Sequence, residues 1–179
     1  MTKDNNPMRR IRLSKVTVNI ATGKSGEPLE KAKKVLAEIT GQQPATRRAK
    51  RTVKEFGIRQ GEPIASVVTL RGERAVNFLK RALEAVNNRL PTTAFDLHGN
   101  ISFGIKEHIE IPGAKYRPEL GIFGATVSAT LDRPGYRVKY RSYRDSRVGK
   151  SHQITREEAM DFIRQNLQAQ IGTETSEGG

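Results

Sequence analysis

The sequence predicts an α+β protein: a mostly antiparallel sheet with helices packed on one face and the other face open. Two patterns and one absence carry this. Segments of apolar–polar alternation recur along the chain, which marks strands with one packed and one wet face. Between them lie stretches whose apolar residues repeat at helical spacing. No strand reads as the continuous apolar run that a doubly wound parallel sheet requires.

Residues 15–20 set Val16, Val18 and Ile20 on one face and Lys15, Thr17 and Asn19 on the other. After a glycine-rich turn, residues 27–40 read as a helix. Pro28 sits in its first turn, Leu29, Ala32, Leu36 and Ile39 form its stripe, and Gly41 stops it. A short extended piece then enters a basic stretch, 46–60, where Gly57 and Gly61 predict a long mobile loop. In residues 64–71, Ile64, Ser66, Val68 and Leu70 alternate with Ala65, Val67, Thr69 and Arg71, a second strand. Residues 73–87 follow as a second helix, with Val76, Leu79, Leu83 and Val86 inward. Residues 100–105 and 125–131 give two more strands, the first turning Ile101, Phe103 and Ile105 inward, the second Ala125, Val127, Ala129 and Leu131. The stretch 136–152 is basic, poor in aliphatics and expected to be extended. Thr155 and Glu158 read as a capping box opening a last helix to about residue 168. The expected organisation is an N-terminal arm (1–10), a core (11–132), a basic extension with a C-terminal helix (133–170) and a disordered tail (171–179).

The chain has 179 residues, 32 Lys and Arg against 19 Asp and Glu, and a net charge of +13. That excess is clustered. Arg9, Arg10, Arg12 and Lys15 stand without an acid; Arg47, Arg48, Lys50, Arg51, Lys54 and Arg59 face only Glu55. Arg133, Arg137, Lys139, Arg141, Arg144, Arg147, Lys150 and Arg156 face only Asp145. Three such patches on an otherwise mildly acidic chain are the footprint of a nucleic-acid binder. The outward strand positions, Thr17, Asn19, Thr69, Ser102, Thr126, Ser128 and Thr130 with Lys15, Arg71 and Lys106, suit phosphates, riboses and base edges. Thr also has high strand propensity, which alone accounts for part of that content.

Other chemistries fail on spacing. The absence of Cys excludes disulfides, thiol catalysis and Cys-based zinc sites. No apolar run is long enough for a membrane span, and the polar start lacks the apolar stretch of a signal peptide, so an intracellular chain is expected. Gly23-Lys24-Ser25 follows a strand and precedes a helix, but a phosphate loop needs Gly five residues before Gly23, where Val18 stands. His98, His108 and His152 show no metal-ligand spacing, and each is expected at the surface or on RNA. No cofactor is implied. Base-stacking aromatics are missing from the outward strand positions, so the readout expected there is shape and hydrogen bonding.

Several motifs, in order, resemble a known family. These are Lys15-Val-Thr-Val-Asn19, Ile39-Thr-Gly-Gln42 with Pro44, Arg48-Ala-Lys50, and Phe56-Gly-Ile-Arg59 with Gly61 and Pro63-Ile64. Val68-Thr-Leu-Arg-Gly-Glu73, Phe95-Asp96, His98-Gly-Asn100, Phe103-Gly-Ile-Lys-Glu107, and Gly121-Ile122 with Gly124 continue the series. Together they are similar to large-subunit ribosomal protein five, the 5S rRNA-binding family. Arg133-Pro-Gly-Tyr-Arg-Val-Lys139 resembles its archaeal and eukaryotic branch, and the short, Arg-rich chain favours an archaeal member. The resemblance implies a non-catalytic protein of the central protuberance, with 5S rRNA, large-subunit rRNA, P-site tRNA and neighbouring ribosomal proteins as partners. It implies 5S rRNA contacts at Asn19, Gln42 and Thr69, and a loop from Arg47 to Gln60, placed by Phe56, that reaches toward tRNA. Lys24, where relatives often carry an acid, and Gln43, where they often carry Lys, depart from the pattern. The expected RNA-binding set is Lys15, Thr17, Asn19, Lys24, Gln42, Arg47, Arg48, Lys50, Arg51, Arg59, Thr69, Arg71, Arg137, Lys139 and Arg141. A partner-binding regulator outside the ribosome is the alternative; a phosphate-handling enzyme built on Gly23–Ser25 ranks below both.

Overall fold

The alternating segments join one antiparallel sheet in the computed structural model, which describes residues 6–172. The chain runs β1 (Arg12–Ala21), α1 (Glu27–Thr40), β2 (Ala45–Arg48), β3 (Pro63–Leu70) and α2 (Gly72–Ala85). It continues through β4 (Arg89–Pro91), β5 (Asn100–Ile105), β6 (Ala125–Asp132), α3 (Arg156–Leu167) and β7 (Gln170–Gly172). The main sheet has the order β2-β3-β1-β6-β5, and every neighbouring pair is antiparallel. β4 and β7 form a separate parallel pair.

One face of the sheet holds the core. Val16, Val18 and Ile20 of β1 pack with Val127, Ala129 and Leu131 of β6 and with Ile101, Phe103 and Ile105 of β5. Against them lie Ala32, Val35, Leu36 and Ile39 of α1, Phe78, Leu79, Ala82 and Leu83 of α2, and Ala159 and Ile163 of α3. Each large side chain so buried contributes roughly 1.5–3 kcal/mol. The buried stripe of α2 is rotated from the expected one. Ala75 and Phe78 go inward while Val76 and Val86 are only half-buried, because a phenyl ring has more apolar area to hide than an isopropyl group. Gly41 ends α1 in the left-handed region (φ 65°), its N–H donating to Ala37 O. At α3, Thr155 and Glu158 form the expected capping box.

Four differences from the sequence reading have physical causes. β2 carries the expected short extended piece on through Arg47 and Arg48, into the basic stretch expected as a loop, since four exposed residues with two Arg carry no apolar alternation. β3 is buried on both faces from Ala65 to Val68, because β2 and β1 flank it and the longer side chains of Arg47 and Asn19 stand beside Ala65 and Val67. The expected tail begins as β7, anchored by Gln170 N–H donating to Asn88 O; residues 173–179 lie outside the described residues.

The fourth difference concerns residues 133–170, which share the core rather than trailing from it. Tyr136 is buried, donates its hydroxyl to His152 O and accepts from Ile154 N–H. Arg133, 4% exposed, reaches Glu158 at 2.7 Å and donates to His152 O and Gln153 O. Between 133 and 153 hydrogen bonds and one buried ring do what aliphatic residues do elsewhere, and Ile154, Ala159 and Ile163 complete the packing beyond, so a count over the basic stretch misses it.

Candidate nucleic-acid interface

Residues paired across an antiparallel ladder share a face, so the register fixes which side chains meet on the open side. One row reads Ala45, Val67, Asn19, Thr126 and Gly104 across the five strands. The next reads Thr69, Thr17, Ser128 and Ser102, and a third reads Lys15, Thr130 and Asn100. Thr17, Asn19, Thr69, Ser128 and Thr130 are partly exposed, and Thr126 and Ser102 fully so. Ser102 Oγ and Ser128 Oγ stand 3.1 Å apart and share a hydrogen bond. The surface is a grid of hydroxyls and amides with no aromatic ring among these rows.

Cations border this grid. Lys15 lies in its third row, and Arg71, exposed at the end of β3, follows Leu70, whose register partner is Val16. Arg71 also occupies the N-cap position of α2, where its exposed guanidinium points a donor-only group toward solvent. At the opposite end Arg47 pairs with Ala65 on the open side, and Arg48 follows beyond a register shift. Gln42, exposed just after α1, leads into edge strand β2. Thus Lys15, Thr17, Asn19, Thr69 and Arg71 gather on one surface, with Gln42 and Arg47 at its β2 edge.

The stretch after β2 is a braced hairpin. Ala49 N–H donates to Glu62 O at 2.8 Å, and Gly61 N–H returns to Ala49 O at 2.9 Å. Further out, Val53 and Ile58 exchange both backbone bonds around a short 3₁₀ turn, Lys54–Phe56. Gly57 closes that turn at φ 66°, a region that favours glycine. Phe56 projects at the tip, 74% exposed, while Lys50, Arg51, Lys54 and Arg59 are exposed along the hairpin. At its base, the Glu62 carboxylate accepts from Arg59 N–H and Ser25 Oγ–H, and these bonds hold its pKa below the ordinary value.

Lys24 sits in the β1–α1 turn, exposed. Nothing there cradles a phosphate: Ser25 is spent on Glu62, and Glu27 and Glu30 place two acids in the first turn of α1. Among the described residues no cluster of His, Asp and Glu could hold a metal, and no helix is long and apolar enough to cross a membrane. His108 departs from its surface expectation: it is 3% exposed and its Nδ1 accepts from Phe123 N–H. Its flanks, Glu107 and Glu110, hide that it packs beneath the connection to β6.

Arg137, Lys139 and Arg141 stand apart from the open face. A 3₁₀ turn, Tyr136–Lys139, carries the first two; Lys139 lines a cavity with His98 of the loop before β5 and Gln153 of the approach to α3, while Arg137 is exposed. In that loop, Asp96 accepts from the backbone N–H groups of His98 and Asn100. Burial works to raise the Asp96 pKa, but these bonds and the Asn100 amide outweigh it and leave it lowered. The sequence reading passes over Tyr140 and Tyr143, which stand exposed in the same region; their interleaving with cations was the available signal.

Two family models match the chain: "Ribosomal protein L5" over residues 6–59, and the C-terminus of the same ribosomal L5 family over residues 63–165. Curated relatives named large ribosomal subunit protein uL5 agree. That of Aeropyrum pernix is 56% identical over 160 residues, covering 89% of this chain and 83% of its own. The Pyrobaculum aerophilum protein is 55% identical over 165 residues, 92% of both chains. The Methanobrevibacter smithii protein is 44% identical over 169 residues, 94% of this chain and 99% of its own. All three relatives are archaeal, and the matches span the open face, the hairpin and α3 alike. The chain belongs to the ribosomal protein L5 family, in its archaeal branch.

Proposed function

We propose that the open sheet face binds 5S rRNA and holds it against large-subunit rRNA, while the hairpin reaches toward P-site tRNA. Family membership makes the chain a structural, non-enzymatic protein of the large ribosomal subunit, where ribosomal RNA and ribosomal proteins are its partners. The finer reading rests on one observation above all: Thr17, Asn19, Thr69, Thr126 and Ser128 form a polar grid with cations only at its borders. Short donors and acceptors on an open sheet face match the wide, shallow minor groove of folded RNA, where 2′-hydroxyls and base edges are displayed. Lys15, Arg71 and Arg47 at the rim would neutralise the flanking phosphates. Arg48, Lys50, Arg51 and Arg59 extend that field along the hairpin, with Lys24 of the β1–α1 turn near its base, and the exposed Phe56 offers an apolar contact at the far end.

Filter binding across a salt series, with 5S rRNA and an unrelated structured RNA, separates charge from readout. Arg71→Gln should weaken both RNAs alike and flatten the salt dependence by about 0.7–0.9 log units per decade, the release of one phosphate's counterions. Asn19→Val or Thr69→Val should leave the slope unchanged and cost about 1–3 kcal/mol on 5S rRNA alone, where a fixed partner is left unpaired. Equal losses on both RNAs for Asn19→Val would remove specificity from this face.

A further inference from the structure

The loop that follows the 3₁₀ turn Tyr136–Lys139 has a chemistry that the sheet face lacks. Ser146 N–H donates to Val138 O at 3.2 Å and ties the two ends of the loop together. Within it Arg141 Nε donates to Arg144 O at 2.7 Å, and Arg144 adopts the left-handed region at φ 51°. The closed loop presents Tyr140 and Tyr143 at 67% and 72% exposure. Each ring carries a cation: Lys139 Nζ lies 4.9 Å from the Tyr140 centroid, and Arg144 Cζ lies 5.1 Å from that of Tyr143. Lys139 is equally close, 4.9 Å, to buried Tyr136, so it is held between two rings. Beside the loop a cavity of about 300 Å³ is lined by His98, Tyr136, Lys139, Arg147, Val148 and Gln153. Among the described residues, none of Arg137, Lys139, Arg141, Arg144, Arg147 and Lys150 forms an ion pair with a carboxylate.

We propose that this loop is a second RNA site, one that captures an unpaired strand by stacking bases on Tyr140 and Tyr143, with Lys139 and Arg147 on its phosphates. Solvent-exposed aromatic rings alternating with unpaired cations form a stacking platform, because any base offers a π-face to a ring and a phosphate to a neighbouring ammonium or guanidinium. A paired helix keeps its bases stacked on one another and has none to give. The backbone ties above mean that the platform is shaped before RNA arrives, which lowers the entropy lost on binding. Rings and cations interleaved in one short loop call for a ligand that brings a π-face and a phosphate together at each repeat, which single-stranded RNA does at every nucleotide. This goes beyond the sheet-face reading and does not require it.

The chain has no Trp and four Tyr, two of them on this loop, so the difference in tyrosine emission between the parent and the Tyr140→Phe, Tyr143→Phe chain reports on it. A short, unstructured oligoribonucleotide added to the full chain should quench that emission, and the same sequence in a duplex should not. Fluorescence anisotropy of the labelled oligonucleotide should show Tyr140→Ala with Tyr143→Ala binding about 10-fold or more weakly. Tyr140→Phe with Tyr143→Phe should retain affinity, since phenyl rings stack as well. Circular dichroism should find both variants folded, as the two rings are largely exposed. Asn19→Val should leave oligonucleotide binding unchanged, so failure here and failure of the sheet-face reading are distinguishable. Parental affinity in the double Ala variant would overturn the proposal. So would photo-crosslinks from position 140 that, in assembled subunits, reach protein alone.

Discussion

Replacing Arg133 by Met tests whether residues 133–170 are part of the core or merely lie upon it. The guanidinium makes a charged bond to Glu158 at 2.7 Å and two bonds at 3.3 Å to the carbonyls of His152 and Gln153. Bonds to charged groups contribute about 1.5–3 kcal/mol each in good geometry. The two at 3.3 Å fall at the low end, and the Glu158 side chain is 41% exposed, so water screens that pair and takes its place when it is lost. One effect opposes these losses. Arg133 Nε is buried with no partner among the described residues, and Met removes that unsatisfied donor while keeping most of the apolar stem. The net expectation is a destabilisation of about 1–3 kcal/mol, or a fall in melting temperature of roughly 2–4 °C per kcal/mol for a chain of this size. Urea unfolding followed by circular dichroism measures it. A single transition with a lower midpoint and an unchanged slope would show that the segment unfolds with the sheet. Parental stability, or a separate early transition confined to α3, would refute the idea that Arg133 locks the segment into a shared core.

Two further outcomes follow from the same region. Gly99 lies at φ +76°, and an added Cβ would fall 2.7 Å from Ile154 Cγ2, so Gly99→Ala should cost roughly 2–4 kcal/mol from backbone strain and overpacking together. In an Ile154→Ala background the Cγ2 clash goes and the backbone strain remains with a milder 3.1 Å contact to the residue-154 Cβ, so the penalty should shrink; a full-size penalty there, read by denaturant titration, would contradict the steric part. For Glu158, burial works to raise the pKa, but the Thr155 N–H and Arg133 bonds outweigh it and hold it below its unbound 4.5. A carboxylate depressed in the folded state contributes stability that is complete above its unfolded pKa and lost as pH falls through the folded one. Glu158→Gln should therefore cost stability near neutrality and progressively less below about pH 4.5, so that the two acid-titration curves converge; parallel curves would rule out the linkage.

The parts of this fold that were legible in the sequence share one property: their signal is local. β1, β5 and β6 alternate because one face is packed and one is wet, and α1 announces itself by a stripe, a proline near its start and a glycine at its end. β2 and β7 are invisible by that criterion, being short strands that exist only through their partners: β3 across the basic hairpin for β2, and β4, far away in the chain, for β7. Composition assigns Arg133 and Tyr136 to a cationic extension because it cannot tell a buried guanidinium from a solvated one; only the carbonyls of His152 and Gln153 and the carboxylate of Glu158 make that difference. The site divides along the same line. Thr17, Asn19 and Thr69 could be placed on one surface from strand parity alone, whereas the packing of Lys139 between two tyrosines required the chain to turn.

What each backbone can display explains why the two proposed RNA surfaces differ in chemistry. Successive outward residues of a strand stand about 7 Å apart, and neighbouring strands about 5 Å apart, so the open face is a lattice of fixed points. Thr, Ser and Asn keep that lattice sharp, because short or β-branched side chains have few rotamers to lose. A long cation at the centre would sweep over its neighbours and blur the pattern, and the cations accordingly stand at the rim, on Lys15, Arg71 and Arg47. Such a lattice suits an RNA whose own shape is fixed. The loop at 138–146 has no such spacing to offer, but a turn can lift whole rings clear of the surface, as it does Tyr140 and Tyr143. Rings held in that way suit a strand whose bases are already free. A folded RNA with an unpaired segment beside it would satisfy both surfaces at once, and each contact would then raise the effective concentration of the other.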